Sequence, residues 1–184
     1  MSHQEEMNGT DRTRRFAAAM LPHLDAAYNL ARWLLRDEQN AQDVVQEAYL
    51  RAFRFFDSFR GGDARPWLLG IVRNACYTWL GDKAHGHLEF DEELDSGALD
   101  PTIEPASNNP QHLLERKLEC AQVNAAIATL PPLFREVLIL RELEQLPYDE
   151  IAQVTNIPVG TVMSRLSRAR ALLRSALSPT GKEF

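Results

Sequence analysis

The 184-residue sequence has few cysteines, no long apolar run and no apolar leader at its beginning. Its two cysteines, Cys76 and Cys120, lie far apart and form no CxxC pair, which predicts reduced thiols rather than a disulfide. No uninterrupted apolar run approaches the roughly 20 residues that a membrane span needs. The first residues, MSHQEEMNGTDRTRR, are polar, whereas a signal peptide has an apolar core. We therefore expect a cytoplasmic protein that does not insert into a membrane.

The sequence also lacks the alternation of apolar and polar residues that marks β-strands. Helical periodicity occurs instead in two segments, at about 14–82 and 113–178. The stretch between them is dense in Gly, Pro, Asp, Asn and Ser and shows no periodicity, which is typical of a linker. The sequence therefore predicts an all-α protein with two small helical domains, over 14–84 and 113–178. A polar tail over 1–13 precedes the first domain, and a flexible acidic linker over 85–112 joins the two.

The net charge of −6 comes from two parts of the chain. Residues 83–112 hold seven acidic residues against one lysine, and the first 13 residues hold three acidic residues against one arginine. Residues 14–82 carry nine arginines against eight acidic residues, and residues 113–184 carry nine basic against eight acidic residues. Both helical segments are thus slightly basic, so the net charge does not exclude binding to nucleic acid.

Three helices are predicted in the first segment from periodicity and capping residues. Pro22 suits the first turn of the first helix. Asn40 is predicted to cap the second helix, with Asp43 in the capping-box position. The third helix follows the break at Gly61-Gly62 and starts near Arg65. Its predicted apolar side consists of Trp67, Ile71, Ala75 and Trp79.

The stretch LPYDEIAQVTNIPVGTVMSRLSRARALLR, residues 146–174, predicts two helices joined by a tight turn. Asn156 can adopt the left-handed conformation that ends the first helix, and Pro158 suits the start of the second. No acidic residue occurs between Val159 and Arg174, and several arginines lie on the outward side. Two helices joined in this way form a helix-turn-helix, whose second helix enters the major groove of DNA. Arginine can read guanine there and also neutralise phosphates.

Two separate stretches resemble one known family. Residues 43–80, DVVQEAYLRAFRFFDSFRGGDARPWLLGIVRNACYTWL, closely resemble region 2 of the sigma-70 family of bacterial transcription initiation factors, in its extracytoplasmic-function branch. IPVGTVMSRLSRAR, residues 157–170, resembles region 4 of the same branch, and LPPLFREVLILRELEQLPYDEIA before it matches the start of that region. The resemblance implies an alternative sigma factor, not an enzyme, that directs core RNA polymerase to specific promoters in a stress or envelope response. It also implies promoter DNA and an anti-sigma factor as partners, and no small-molecule substrate.

The resemblance also implies roles for three groups of residues. The polar face of the D-V-x-Q-E-A helix, which in this family binds a coiled coil of the largest polymerase subunit, is here Asp43, Gln46, Glu47, Leu50, Arg51 and Arg54. The loop and helix that follow resemble the reader of the promoter −10 element, where a base is flipped from the opened strand. The candidates for this contact are Phe59, Arg60, Arg65, Arg73 and Asn74. The candidates for reading the −35 element are Thr161, Ser164, Arg165 and Arg168 of the helix-turn-helix.

The sequence departs from the family pattern in two places. After the third helix many relatives carry several basic residues, whereas GDKAHGH has only Lys83, so we expect weak phosphate anchoring near the −10 element. Met163 and Ser167 stand where relatives often have arginine and a larger or aromatic residue, so we expect an unusual promoter preference. In the family the linker threads toward the basic active-site and RNA-exit region of the polymerase. We expect residues 85–112 to become ordered there.

Other classes of protein fit the sequence less well. A conventional helix-turn-helix regulator that binds DNA without polymerase would need a sensor domain with a ligand pocket or a phosphoacceptor aspartate after a strand, and no strand is predicted. An enzyme is disfavoured because neither a phosphate loop nor a nucleophile elbow occurs. His85 and His87, with Cys76 or His112, do not have the spacing of a zinc module. We therefore expect neither a metal nor a cofactor.

Overall fold

The computed structural model describes the backbone of residues 2–86 and 110–178 and the side chains of residues 9–81 and 117–178. All regular elements in these ranges are helical. The helices of the first half are α1 (Ser2–Met20), α2 (Leu24–Leu35), α3 (Glu38–Arg54) and α4 (Ala64–Gly86), with short 3₁₀ turns at Leu21–His23 and Phe56–Ser58. Those of the second half are α5 (Pro110–Thr129), α6 (Pro132–Leu138), α7 (Tyr148–Thr155) and α8 (Val159–Leu177), with a π-helical turn at Ile139–Leu143. The prediction of an all-α protein is confirmed.

Most predicted helices are present, with local differences at their ends. The structure places the start of α3 at Glu38, so the prediction of a start at Asn40 was wrong. Asp37 is the N-cap, and its Oδ1 accepts a hydrogen bond from the backbone N–H of Asn40 at 2.7 Å. Asn156 ends α7 in the left-handed conformation, with φ of 53°, as its side chain and position predicted.

Residues 2–13, assigned to the polar tail by composition, form the first part of α1. Arg12 joins α1 to the end of α3 and the turn after it. It donates through Nη2 to the backbone oxygen of Phe53 at 2.7 Å and pairs with Asp57 at 3.2 Å. Its guanidinium also stacks over the Phe53 ring. The predicted acidic linker, 85–112, lies largely outside the described residues.

Helices α2, α3 and α4 form the core of the first half. Leu30, Val44, Ala48 and Leu68 are all buried there. Helix α1 covers one side of this bundle, where Phe16 makes edge-on contacts with the aromatic rings of α3 and the turn after it, namely Tyr49, Phe53 and Phe56. The spacing of apolar residues in α2 and α3 accounts for this packing.

Helix α8 lies at the centre of the second half and packs against α5, α6 and α7. Its periodicity predicts Val162, Leu166, Ala169 and Leu173 on the inner side; the first three are buried and Leu173 is half-buried. Trp33 from α2 joins this second core, where it packs with Ile139 and its neighbours. The two halves therefore share buried apolar residues.

The halves meet mainly where α4 packs against α7 and where α2 packs against α6. This contact explains a difference between the predicted and observed core of α4. Ala75 is buried as expected, but Trp67, Ile71 and Trp79 are only half-buried. The fully buried side chains of α4 are Leu68, Leu69, Val72 and Cys76. Helix α4 is covered on two sides, because the second half packs against the part that the first half leaves open.

Candidate polymerase and nucleic-acid interfaces

The predicted polymerase-binding residues lie together on the outer face of α3. Five of them are exposed, and Arg51 is half-buried. Arg51 pairs with Glu47 through Nη2 and Oε1 at 2.9 Å, which is the favourable order for a helix pair. Asp43 accepts a hydrogen bond from Gln39 at 3.4 Å. The carboxylates of Asp43 and Glu47 are bound only by side chains of α3 among the interactions described, and both remain accessible to a partner.

An apolar groove of about 700 Å³ borders this face between α1, α2 and α3. Gln46 and Leu50 of the predicted face line it, together with Leu21 from the turn after α1 and Leu24 at the start of α2. Leu21 and Leu50 are each 56% exposed, so both add apolar surface to the edge of this groove. Periodicity within α3 could not identify Leu21 and Leu24, because they belong to other elements of the chain.

The loop before α4 carries the predicted −10 residues Phe59 and Arg60. Phe59 is half-buried, with its ring stacked on Phe56 at 6.1 Å between centroids and tilted against Trp67 at 5.3 Å. Arg60 is exposed, and the two glycines after it have positive φ values of 85° and 89°. A second depression of about 580 Å³ lies beside this loop and is lined in part by Arg15, Phe59 and Gly61. The loop thus offers an exposed cation and aromatic surface next to a concave space.

Two of the predicted −10 arginines are engaged by the second half of the protein. Arg65 pairs with Glu144 through Nη2 and Oε2 at 2.6 Å, and its side chain is 28% exposed. Arg73 donates to Glu136 from Nε at 2.8 Å and from Nη2 at 3.2 Å. Asn74, the third candidate on α4, is exposed. All three are candidates for contact with the −10 element, but in the structure two of them lie in the contact between the halves.

The predicted −35 residues lie on the outer side of α8, where their positions differ in accessibility. Ser164 and Arg168 are exposed, and Thr161 is half-buried. Arg165 reaches across to Glu136, with Nη1 at 3.4 Å from Oε1. Met163 is 54% exposed, so its apolar side chain is accessible at a position where relatives often have arginine. Arg170 pairs with Glu142, which belongs to the same half of the protein.

Glu136 connects the two predicted DNA-binding surfaces. Its side chain is 0% exposed, and its carboxylate accepts hydrogen bonds from Arg73, from Arg165 and from the Tyr77 hydroxyl at 3.0 Å. Burial and the nearby Glu136 raise the pKa of Tyr77, so this hydroxyl remains a donor. Burial acts to lower the pKa of Arg73, but the hydrogen bond and the charge of Glu136 outweigh it and raise that pKa. Arg73 and Tyr77 therefore both remain hydrogen-bond donors to Glu136.

Arg135, next to Glu136, is also buried, but its hydrogen-bond partners are backbone oxygens rather than side chains. It donates hydrogen bonds to the backbone oxygens of Trp33, Ala128 and Leu130 at 2.7–2.9 Å. Burial, with a smaller contribution from the charge of Arg36, lowers the pKa of Arg135 to about 10. Its bond to Trp33 joins the second half to the end of α2. Sequence reasoning did not single out this residue, since a lone arginine in an apolar stretch carries no motif.

Among the described side chains, no three His, Cys, Asp or Glu residues lie close enough together to hold a metal ion. The side chains of His85, His87 and His112 are outside the described part. Cys76 is buried, and this burial raises the pKa of its thiol to about 12. None of the described helices is long and apolar enough to cross a membrane.

Comparison with known proteins agrees with this two-part architecture. Residues 20–85 match the model of sigma-70 region 2, and residues 120–173 match that of sigma-70 region 4. The RNA polymerase sigma-H factor of Pseudomonas aeruginosa is 34% identical over 174 residues, which cover 92% of this chain and 90% of the relative. The ECF RNA polymerase sigma-E factor of Escherichia coli is 36% identical over 144 residues, 74% of this chain and 73% of the relative. The chain belongs to the sigma-70 family, in its extracytoplasmic-function branch.

Two solved structures share the fold. One is the sigma factor RpoE of Bartonella quintana, solved in complex with the anti-sigma factor NepR. Its TM-score is 0.70 at 23% identity, with 91% of this chain and 99% of that chain covered. The other is CnrH in complex with the cytosolic domain of CnrY, with a TM-score of 0.63 at 24% identity and coverage of 92% and 91%. The alternative of a conventional operator-binding regulator is not favoured by these findings.

Proposed function

We propose that this protein is an alternative sigma factor that binds core RNA polymerase and directs it to a specific set of promoters. One observation supports this most strongly: a single chain carries both the exposed polar face of α3 and an outward, acid-free surface on the second helix of a helix-turn-helix. An operator-binding regulator needs the second surface but has no use for the first. The protein acts by positioning the polymerase on DNA, so no catalytic residue is assigned to it.

The α3 face would bind the polymerase. Asp43, Gln46 and Glu47 offer polar contacts, while Leu50 and the neighbouring apolar groove offer burial. Interfaces of this kind combine an apolar centre with a charged rim. A helix or coiled coil that lays apolar side chains into the groove would place its own charged residues against Asp43, Glu47, Arg51 and Arg54.

The two DNA-binding surfaces would read different promoter elements. Phe59 and Arg60, together with Arg65, Arg73 and Asn74 of α4, would contact the opened strand at the −10 element, where stacking on aromatic rings helps to offset the cost of unstacking a base. Thr161, Ser164, Arg165 and Arg168 would contact the −35 element in the major groove. Residues 14–84 and 113–178 would act as the two functional domains, and the acidic linker over 85–112 would follow a basic path on the polymerase.

We further propose that an anti-sigma factor binds and controls this protein, on the model of the complex between RpoE and the anti-sigma factor NepR, and that the regulated response concerns stress or the cell envelope. Run-off transcription on a promoter library with purified core polymerase tests the central proposal. Transcripts that depend on both the polymerase and this protein, with a shared −35 and −10 sequence, are expected. Tight, sequence-specific binding to duplex DNA by the protein alone, without stimulation of transcription, would support the operator-binding alternative.

A further inference from the structure

Helix α1 carries a group of arginines close to the loop before α4. The chain has no acidic residue from Arg12 to Leu24, and three arginines lie within the first four positions of that stretch. The helix spans Ser2–Met20, whereas the match to the model of sigma-70 region 2 begins at residue 20. What α1 contributes is therefore not described by that family model.

The three arginines of α1 have different surroundings. Arg12 pairs with Asp57 at 3.2 Å, and Arg14 pairs with Asp11 on the same helix at 2.7 Å. Arg15 is exposed, and its guanidinium makes neither a hydrogen bond nor an ion pair with any residue whose side chain the structure describes. Of the three, Arg15 is therefore the one whose guanidinium is available to bind an anion from outside the protein.

Arg15 lines the depression of about 580 Å³ that lies between α1 and the loop. The other residues that line it are small or aromatic, apart from one acid: Ala18, Ala19, Phe56, Phe59 and Gly61, with Asp57. The carboxylate of Asp57 is already paired with Arg12. Arg60, which follows Phe59 in the loop, is exposed. The depression therefore combines apolar and aromatic walls with two unpaired cations, one on the helix and one on the loop.

Helix α1 is held firmly beside the loop. The guanidinium of Arg12 donates to the backbone oxygen of Phe53 at 2.7 Å and lies over the Phe53 ring at 4.5 Å from its centroid. Phe16 makes edge-on contacts with Phe53 and Phe56, with ring centroids 5.1 and 5.3 Å apart. Arg15 lies between these two anchoring residues in the sequence. Its backbone therefore needs little further ordering when a ligand binds, which lowers the entropic cost of binding.

An opened DNA strand has the chemistry that this depression fits. Proteins bind single strands through a groove in which aromatic side chains stack with bases and cations follow the phosphates. Arginine binds phosphate through two parallel hydrogen bonds, which makes an unpaired guanidinium well suited to this contact. The depression is continuous with Phe59 and Arg60, which are proposed to contact the −10 element. This continuity favours DNA over an acidic peptide as the occupant.

We propose that Arg15 binds a phosphate of the opened promoter strand, and that this strand runs from the loop across the depression onto α1. The proposal rests on the proposed function, because it takes Phe59 and Arg60 as the contact with the −10 element. Phosphate contacts position a protein on DNA without reading its sequence. Arg15 therefore contributes to the affinity for every promoter that the protein opens, and not to the choice among promoters.

The experiment uses holoenzyme assembled from core polymerase and the full chain. The DNA is a promoter obtained from the library transcription described above, with its −10 region opened by mismatches. Single phosphates of either strand in and next to the −10 element are replaced, one at a time, by uncharged methylphosphonates. Fluorescence anisotropy measures the affinity for each DNA over a range of salt concentrations. The affinity for core polymerase is measured separately, and circular dichroism checks the fold of each variant.

Two independent changes disturb the proposed contact. Arg15→Gln removes the cation, and its matched control is Arg14→Gln, which makes the same change at the neighbouring exposed arginine. Ala18→Glu places an acid in the wall of the depression, and its control is Ala121→Glu, at an exposed position of α5. Arg15→Lys keeps the charge and tests whether a cation is sufficient.

Arg15→Gln and Ala18→Glu should each bind the opened promoter about fivefold more weakly, whereas both controls should match the unmodified protein and Arg15→Lys should recover most of the loss. The salt dependence of Arg15→Gln should become shallower by roughly 0.7 in the slope of log affinity against log salt, the value for one phosphate of a single strand. One methylphosphonate should weaken binding by the unmodified protein but have no further effect on Arg15→Gln, because the two changes remove the same contact.

Two results would each overturn this proposal alone: binding by Arg15→Gln equal to that of the unmodified protein, or weaker binding in which every methylphosphonate keeps its full effect. A loss of affinity for core polymerase in Arg15→Gln and Ala18→Glu would also overturn it, since the depression would then bind protein. If Ala18→Glu unfolds, Arg15→Gln and its control decide between these outcomes. If the unmodified protein supports no polymerase-dependent transcription, the proposed function fails and this proposal fails with it.

Discussion

Arg165 of the second helix in the helix-turn-helix places its Nη1 3.4 Å from Oε1 of the fully buried Glu136. The recognition helix thus directs one of its arginines toward the protein interior, whereas Arg168, one turn further along, remains exposed. Two arginines that look equivalent in the sequence therefore differ in their accessibility to DNA. Substitution of Arg165 is expected to change both DNA contact and the cluster of side chains around Glu136, and substitution of Arg168 only the former.

The acidic residues on α3 are expected to serve polymerase binding rather than folding. Asp43 and Glu47 are exposed and lie off the buried face, so the double substitution Asp43→Ala/Glu47→Ala should leave the helical circular dichroism signal and the Tm nearly unchanged. Affinity for core polymerase should fall by at least about tenfold, or 1.4 kcal/mol. Fluorescence polarisation with purified core polymerase measures this affinity.

The control for this prediction is Asp11→Ala/Asp57→Ala, which removes two acids of the same half outside α3. Both belong to surface ion pairs, which contribute little to stability. The control should bind polymerase as the unmodified protein does. Equal binding by Asp43→Ala/Glu47→Ala and the unmodified protein would mean that the polymerase contacts a different surface.

Arg135 is expected to be essential for the fold even though it is a buried charge. Arg135→Met should lower the free energy of unfolding by at least about 2 kcal/mol, because it leaves three backbone oxygens in the interior without their donor. Burial lowers the pKa of Arg135 to about 10, which still leaves the guanidinium protonated and able to donate these hydrogen bonds at neutral pH. Urea unfolding followed by circular dichroism measures the change. A variant as stable as the unmodified protein would show that water replaces the guanidinium at these oxygens.

The two cysteines are expected to differ in reactivity. Burial raises the pKa of the Cys76 thiol to about 12, so its reactive thiolate form is scarce at pH 8, whereas Cys120 is only half-buried. Titration with Ellman's reagent should reveal one reactive thiol in the native protein and two in denaturant. Cys120→Ser should abolish the native reaction. Persistent rapid reaction in that variant would place Cys76 in a region that opens readily.

Local sequence patterns predicted much of the fold. The left-handed Asn156, the buried Val162, Leu166 and Ala169 and the exposed face of α3 all follow from helix periodicity and turn chemistry over a few residues. The start of α3 was missed because Asp37 and Asn40 are both good capping residues. In the structure Asp37 is the cap, and the backbone N–H of Asn40 donates to its side chain. The sequence alone does not show which of these two residues is the cap.

The relation between the two halves could not be predicted in this way. The core of α4 contains Leu68, Leu69, Val72 and Cys76 because two different sets of helices cover it, and periodicity within one helix describes a single covered face. The pairs Arg73–Glu136 and Arg65–Glu144 join residues 63 and 79 positions apart. In the sequence alone, each of these arginines is a plausible free cation on a DNA-binding surface.

The predicted acidic linker is expected to act in transcription rather than as a simple tether. Replacement of Glu89, Asp91, Glu92, Glu93 and Asp95 by their amides removes five negative charges that would match a basic channel in the polymerase. Holoenzyme assembly or early transcription should be impaired, most strongly at low salt, where screening is weakest. The measurements are assembly by analytical ultracentrifugation and abortive transcription over a range of salt concentrations. Unchanged transcription at every salt concentration would favour a tether without specific contacts.

The last prediction concerns promoter choice by α8. Arg168→Ala should cost roughly 1–3 kcal/mol in promoter binding by the holoenzyme and relax the preference at one position if the side chain reads a base. If it binds phosphate instead, all promoters should weaken alike and the salt dependence should become shallower. Met163→Arg introduces a cation on an exposed side of the same helix and should shift the preference toward guanine, since methionine offers only apolar contact, for example to a thymine methyl group.

Sequencing of transcripts from a library randomised at the −35 element measures both effects. Arg165→Ala should also alter the −35 preference if this side chain reads a base. Ser175→Ala provides a control at an exposed position near the end of the same helix. If Arg165→Ala, Arg168→Ala and Met163→Arg all leave the preferred −35 sequence unchanged, the recognition surface is not the outer side of α8 and the contact with DNA must come from another element of the second half.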